Sequence, residues 1–228
     1  MQVLGIIPAR GGSKGLAGKN LQPLGGRPLL AYTADAARAS RRLSRVVLST
    51  DDEAIARAGA QLGLDVPFLR PAELALDETP MLPVLQHAVR ALAPSFVPDA
   101  VVVLQPTSPF RRAGHIDEAI ELLDTSGADS VVSVVDVPHR FNPVSVMTLD
   151  AGRLKPFVAG EPILRRQDKP RVYARNGPAV LAVRVRVLEQ GSLYGDDCRP
   201  LMMGADESID IDTPSDLDYA EHVLRRLR

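Results

Sequence analysis

Hydrophobic positions along the chain follow two different patterns. Four short runs are largely apolar and rich in β-branched residues, which predicts strands buried on both faces; they lie at residues 3–7, 45–49, 100–104 and 130–135. Between the runs, apolar residues recur at the spacing of one helical face. These amphipathic series begin at Ile55, Leu82, Ile116 and Leu217.

Alternation of strands and helices predicts the fold class. Buried strands joined by amphipathic helices favour right-handed crossovers, so we expect an α/β fold with a mostly parallel, Rossmann-like sheet and helices on both faces. Ligands of such sheets bind where loops leave the carboxyl ends of the strands. We expect one domain over residues 1–228.

One region lacks both patterns. Residues 136–171 are rich in proline and combine apolar side chains with the basic pair Arg165 and Arg166. Two interpretations remain: an irregular surface excursion, or a small β-rich arm that packs on a second subunit.

Composition narrows the class of protein. The net charge is −1, with 27 basic and 28 acidic residues, which argues against extended binding to nucleic acid. Cys198 is the only cysteine, so an intramolecular disulfide and a cysteine-based zinc cluster are excluded. Neither a secretory signal pattern nor an apolar stretch of about 20 residues is present, and we expect a cytoplasmic location without a membrane partner.

The loop after the first predicted strand carries phosphate-binding chemistry. It reads IIPARGGSKGLAGKN at residues 6–20 and combines glycines with Arg10, Lys14 and Lys19. Glycines let main-chain amides approach an anion, and the cations add charge. The spacing matches neither a Walker A loop nor a GxGxxG fingerprint. The alternative interpretation is a mobile surface loop with incidental cations.

A pair of acids precedes the last predicted helix. Asp210 and Asp212 alternate in SIDID (208–212), and side chains two apart on an extended segment share one face. Their oxygens suit Mg²⁺, which bridges carboxylates and phosphates. They could instead be acids favoured near a helix start, which TPSD (213–216) signals with Thr213 as its cap.

Six motifs in the same order carry a family resemblance. The chain resembles the acylneuraminate cytidylyltransferases (CMP-sialic acid synthetases), and the resemblance covers almost its whole length. Besides the glycine-rich loop, the motifs are STDD (49–52), RPAELALDETP (70–80), QPTSPFR (105–111), RNGPAV (175–180) and SIDIDTPSDL (208–217).

The resemblance implies a reaction and a set of nucleotide-binding residues. CTP would be coupled to a nine-carbon sugar acid, giving CMP-sugar and pyrophosphate, on a nucleotide-diphospho-sugar transferase fold with Mg²⁺ at Asp210 and Asp212. The residues implied in catalysis are Arg10, Lys14, Lys19, Gln105 and Asp212. Those implied in binding the nucleotide are Gly11, Gly12, Ser13, Asn20, Arg70, Asp77 and Thr79.

The sugar side of the site is implied by the same resemblance. Its residues would be Gln105, Arg166, Arg175, Asn176 and Gly177, with Arg166 reaching the neighbouring subunit of a homodimer across the arm. Taken without the family, Arg70 could be a surface arginine and QPTSP a structural turn.

Met81 replaces a small hydroxyl residue beside the implied ribose contacts. Two other departures from the family pattern bear on the sugar: Val180 and Leu181 stand where a tyrosine is common, and no arm lysine occurs at residues 140–143. They suggest a sugar such as legionaminate or another bacterial nonulosonate. Activation of another sugar acid, such as 3-deoxy-octulosonate, and a non-catalytic nucleotide-binding subunit are the alternatives.

Overall fold

A computed structural model describes residues 1–13, 15–93, 95–160, 163 and 165–227. Its strands are β1 (Val3–Pro8), β2 (Pro23–Leu24), β3 (Arg27–Pro28), β4 (Arg45–Ser49), β5 (Ala100–Val103), β6 (Ser130–Asp136), β7 (Met147–Asp150), β8 (Arg153–Pro156), β9 (Tyr173–Arg175), β10 (Leu181–Arg184) and β11 (Cys198–Met202). Its α-helices are α1 (Leu29–Ala39), α2 (Glu53–Gln61), α3 (Met81–Leu92), α4 (Ala113–Ser126), α5 (Val185–Glu189) and α6 (Pro214–Leu227).

The main sheet confirms the predicted α/β fold. Its strand order is β11-β6-β10-β5-β1-β4, with β1 parallel to both β4 and β5, and β11 parallel to β6. Strand β10 runs antiparallel between β5 and β6, and β9 also pairs antiparallel with β6. The sheet is therefore mostly parallel, and its antiparallel members are β9 and β10, the first two strands after the arm.

Helices cover both faces of this sheet, as predicted. The side chains of β1 alternate: Val3 and Ile7 pack in one core cluster with α1, α2 and α4, whereas Leu4 and Ile6 pack in the other with α3 and α5. All four are at most 1% exposed. Burial on both faces explains why the strand reads as a continuous apolar run.

The last helix begins at the predicted position. The Asp216 carboxylate accepts hydrogen bonds from the main-chain N–H of Thr213 (2.8 Å) and of Asp212 (3.1 Å), while the Thr213 hydroxyl accepts one from the Asp216 N–H (3.3 Å). This reciprocal cap fixes the direction in which the chain leaves Asp212.

The arm at residues 136–171 contains a two-stranded hairpin, formed by β7 and β8. Its turn places Ala151 and Gly152 at φ of 47° and 77°, the left-handed conformation that a tight hairpin turn requires. Strand β9 then returns the chain to the main sheet. The arm thus contains a β-hairpin, and its predicted role between subunits is taken up below.

No helix in the described part of the chain is both long and apolar enough to cross a membrane.

Candidate active site

A cavity of about 260 Å³ opens at the carboxyl ends of β1 and β5. Its walls come from the glycine-rich loop, from residues 70–80 and from the turn after β5. The structure brings seven of the predicted site residues to it: Arg10, Lys19, Asn20, Arg70, Asp77, Thr79 and Gln105. These residues come from three separate motifs, and parallel strands ending at one edge of the sheet place them together.

The glycine-rich loop is tied to its neighbours by main-chain contacts. The buried Asn20 side chain donates to the Arg10 carbonyl (2.9 Å), and the Gly11 N–H donates to an Asp51 carboxylate oxygen (3.1 Å). A Cβ on Gly11 would lie 2.7 Å from Asp52, so only glycine fits. The predicted residues Gly12 and Ser13 continue the loop, and Lys14 lies outside the described residues.

Two cations of this loop form ion pairs across the cavity. Arg10 contacts Asp77 at 2.5 Å, and Lys19 contacts Asp212 at 2.7 Å. Each pair joins the loop to a distant motif of the sequence. The Asp77 carboxylate therefore shows where an anionic oxygen can contact Arg10, and the Asp212 carboxylate shows where one can contact Lys19.

The two predicted metal ligands differ in their surroundings. Asp212 is exposed, while Asp210 is half-buried and its Oδ1 atom is buried without a hydrogen-bond partner among the described residues. Burial raises the pKa of Asp210, and the negative charge of Asp212 adds to the rise, whereas the neighbouring Thr107 hydroxyl and Lys19 oppose it. An unpartnered carboxylate oxygen beside a second acid fits a cation.

The described residues do not form a complete protein cage for a metal. No group of three His, Cys, Asp or Glu side chains placed to hold an ion occurs among them. Mg²⁺ typically takes one or two carboxylates and completes its shell with substrate phosphates and water. Asp210 and Asp212 fit that kind of site.

Arg70 is buried beside the cavity that it lines. Its Nη2 donates to the Ser49 carbonyl (3.0 Å), while its Nε is buried without a partner in the part of the chain that the structure describes. Burial lowers the pKa of the guanidinium. Nearby, the Thr79 hydroxyl donates to the Glu73 carbonyl (3.2 Å), which closes the 70–80 segment on itself.

Gln105 links the cavity to the neighbourhood of Asp210. Its side-chain amide donates to the Gly177 carbonyl (3.2 Å). Gly177 has a φ of 112°, and a Cβ there would lie 3.3 Å from an Asp210 carboxylate oxygen. This conformation strains any residue with a side chain, so glycine permits the chain to pass close to Asp210.

The remaining predicted sugar residues do not line this cavity. Asn176 is buried, and its side chain accepts from the Ser133 hydroxyl (2.5 Å) and donates to the Ser208 hydroxyl (2.8 Å), so it holds the scaffold together. Arg175 is exposed, with its guanidinium 4.7 Å from the centre of the Tyr194 ring. Arg166 lines a separate surface cavity on the arm.

One sequence argument about the sugar is wrong. Val180 and Leu181 are at most 1% exposed in the core of the sheet, so they form no wall of a sugar site. Met81 does line the cavity, next to Thr79. Arg111, in contrast, was assigned no role, although its side chain contacts the backbone of Gln105.

Comparison with known proteins decides the family. The sequence model of the cytidylyltransferase family matches residues 4–226. A CMP-N,N'-diacetyllegionaminic acid synthase of Legionella pneumophila is 38% identical over 98% of this chain and 97% of its own length. The chain belongs to the cytidylyltransferase family. It is a nucleotidyltransferase, and the predicted resemblance is confirmed.

Other members of the cytidylyltransferase family differ in length. An N-acylneuraminate cytidylyltransferase of Escherichia coli is 32% identical over 96% of this chain, which spans 51% of that protein. Among solved structures, a CMP:2-keto-3-deoxy-manno-octonic acid synthetase complexed with CTP has a TM-score of 0.75 and 18% identity, covering 100% of both chains. That likeness concerns the fold.

Proposed function

We propose that this cytidylyltransferase couples CTP to a nonulosonic sugar acid, giving the CMP-sugar and pyrophosphate. The observation that carries the proposal is the cavity that Arg10 and Lys19 line together with Arg70 and Gln105. Such a site offers cations for a triphosphate, a buried guanidinium for a base and a neutral amide for the second substrate.

The residues divide the reaction between them. The anomeric hydroxyl of the sugar acid loses its proton and attacks the α-phosphorus of CTP. The bond between the α-phosphorus and the oxygen that bridges it to the β-phosphorus breaks, and pyrophosphate leaves with that oxygen. Arg10 and Lys19 hold the phosphates and stabilise the negative charge that collects on the departing pyrophosphate. On binding, the phosphate oxygens replace the carboxylates of Asp77 and Asp212 beside these cations.

Asp210 and Asp212 are the proposed holders of Mg²⁺. When bound, the ion supplies charge neutralisation and Lewis-acid polarisation at the phosphates. The unpartnered oxygen of Asp210 supports this assignment. Gln105, held by the Gly177 carbonyl next to Asp210, orients the sugar acid near this point.

The proposed sugar is of the legionaminic type. This rests on the relative whose name states a CMP-N,N'-diacetyllegionaminic acid product and which matches nearly its whole length. We also propose a cytoplasmic location, because CTP is a metabolite of that compartment.

Pyrophosphate release tests the function. We expect the purified protein with CTP and Mg²⁺ to release pyrophosphate in the presence of N,N'-diacetyllegionaminate, more slowly with N-acetylneuraminate, and least with 3-deoxy-octulosonate. Chelation of the metal should abolish the signal. Tight CTP binding without release for any acid would instead favour a non-catalytic nucleotide-binding protein, and fastest release with 3-deoxy-octulosonate would overturn the proposed sugar.

A homodimer through the arm is part of the proposal. The hairpin of β7 and β8 alternates so that Met147, Leu149 and Leu154 share one face, with Leu149 opposite Leu154. Leu149 and Leu154 are 74% and 67% exposed. A two-stranded hairpin is marginally stable by itself, so an uncovered apolar face favours packing on a second subunit.

Replacement of Leu149 and Leu154 by charged residues tests whether the arm forms the dimer interface. We expect Leu149→Glu combined with Leu154→Lys to give a monomer in light scattering, because the apolar face is lost while the opposite charges preserve the hairpin. The control is Val97→Asp, at a residue that is 74% exposed outside the arm, which should leave the dimer intact. A double variant that remains dimeric would contradict the arm interface.

A further inference from the structure

The last residue of the QPTSPFR motif is a buried arginine. The Arg111 side chain is 97% buried and folds back beneath the turn that carries Gln105. Its Nη1 donates to the carbonyls of Gln105 (3.1 Å), Ser108 (3.3 Å) and Ala179 (3.0 Å). Its Nη2 donates to the hydroxyl of Thr33 on α1 (2.7 Å).

No carboxylate pairs with Arg111 within the described residues. Desolvation lowers its pKa to about 9, which still leaves the guanidinium charged at neutral pH. A buried cation without a counter-charge is costly, and carbonyl and hydroxyl dipoles compensate for it only in part. The fork of the guanidinium reaches the turn after β5, the segment before β10 and helix α1 at once, which an apolar side chain would not do.

Arg111 joins two segments that meet at the sugar side of the site. One is the turn after β5, which carries Gln105; the other precedes β10 and contains Gly177 and Ala179. The Gln105 amide reaches the Gly177 carbonyl only if both backbones keep their relative position. Arg111 holds both of them from beneath, through the carbonyls of Gln105 and Ala179.

We propose that Arg111 is a positioning residue, which fixes Gln105 and the Gly177 turn in the geometry that binds the sugar acid. The inference rests on the proposed function. Arg111 itself touches no substrate and acts through the two turns. Loss of its guanidinium frees the Gln105 amide and leaves the carbonyls of Gln105, Ser108 and Ala179 without this donor.

Steady-state kinetics of Arg111→Met and Arg111→Lys test the proposal. We expect Arg111→Met to raise the KM for the sugar acid at least 10-fold and to lower kcat, with the KM for CTP unchanged within 2-fold. Lysine keeps the charge and a donor, so Arg111→Lys should recover part of the sugar-acid KM. Unaltered sugar-acid KM in a folded Arg111→Met variant would overturn the proposal.

Arg184→Met provides the matched control. Arg184 also donates to carbonyls, those of Ala128 (2.8 Å) and Leu123 (3.0 Å), but neither belongs to the site. We expect its loss to lower the Tm while leaving the ratio of the two KM values unchanged. If Arg184→Met shifted the ratio of the two KM values as much as Arg111→Met does, general destabilisation would explain the effect of Arg111, and the inference would be overturned.

A milder variant covers the case in which both Arg111 variants fail to fold. Thr33→Val removes one of the four acceptors of Arg111, the Thr33 hydroxyl, at nearly constant volume. We expect the KM for the sugar acid to rise about threefold while the KM for CTP stays the same. An unchanged sugar-acid KM would overturn the inference. An inactive wild-type protein would refute the proposed function itself, which separates the two outcomes.

Discussion

Asp210→Asn is expected to lower kcat/KM about 100- to 1,000-fold, the range found when one preorganised electrostatic contact is removed. The amide keeps the shape of the side chain but loses the negative charge that holds the proposed cation. The measurement is pyrophosphate release at the Mg²⁺ concentration that just saturates the wild-type protein. Because the defect lies in cation binding, a higher Mg²⁺ concentration should restore part of the rate.

The same variant is expected to raise the Tm of the ligand-free protein. Asp210 carries a buried oxygen without a partner among the described residues, and burial raises its pKa above the ordinary value of 3.8. A raised pKa means that the ionised carboxylate costs stability above that pKa, and that the cost fades as the pH falls through it. The gain from Asp210→Asn should therefore be largest at neutral pH and shrink in acid.

Asp206→Asn is the control for both effects. Asp206 lies on the same segment, and its side chain is 44% exposed at 3.9 Å from Arg226. Its replacement should change neither the rate nor the Tm appreciably, since exposed ion pairs contribute little. An Asp210→Asn variant with wild-type turnover would refute the metal assignment, and a lowered Tm would show that the carboxylate has a stabilising partner.

The sequence predicted the parts of the fold that depend on short-range pattern. Four largely apolar runs are strands whose ends lie within one residue of the predicted ones, because burial on both faces favours apolar, β-branched side chains. Helix α1 was not predicted, since its many alanines give only a weak contrast between faces, although residues such as Leu30 and Ala34 are fully buried. Short side chains pack closely without a strong hydrophobic pattern.

Long-range geometry could not be predicted in the same way. The direction of β10 depends on how the chain returns from the arm, and no local signal contains that information. Val180 and Leu181 were interpreted as pocket residues because nothing in RNGPAV shows where the turn ends and the buried strand begins. Arg166 lies away from the cavity within one subunit, so its predicted sugar contact depends on the arm of a partner.

The nucleotide half of the site was more predictable. The glycine-rich loop and Gln105 come after β1 and β5, whose carboxyl ends share one edge because the two strands are parallel. The mutual contacts of the site residues were not foreseen: Lys19 and Asp212 are separated by 193 positions and meet at 2.7 Å. This pair links the glycine-rich loop to the segment with the proposed metal ligands. Replacing Lys19 therefore allows its effects on stability and on catalysis to be measured separately.

Lys19→Met is expected to lower kcat/KM about 100-fold while the free energy of unfolding changes by less than about 1 kcal/mol. The Asp212 side chain is 66% exposed, so the ion pair is screened by solvent and adds little to stability. In the proposed reaction, however, Lys19 would face the charge that develops on the pyrophosphate, where water would not replace a fixed cation. Steady-state kinetics and denaturant unfolding of the same preparation measure both quantities.

Arg27→Met is the matched control for Lys19→Met, and Asp212→Asn completes a double-variant cycle. Arg27 pairs with Asp35 at the same 2.7 Å, outside the cavity, so its loss should change stability as little as that of Lys19 and leave turnover intact. Lys19 and Asp212 are proposed to act on the same triphosphate. The decrease in kcat/KM of the double variant should therefore be smaller than the product of the two single-variant decreases. Turnover of Lys19→Met within threefold of wild type would contradict a catalytic role of the loop, because a cation close to the leaving group must affect the rate.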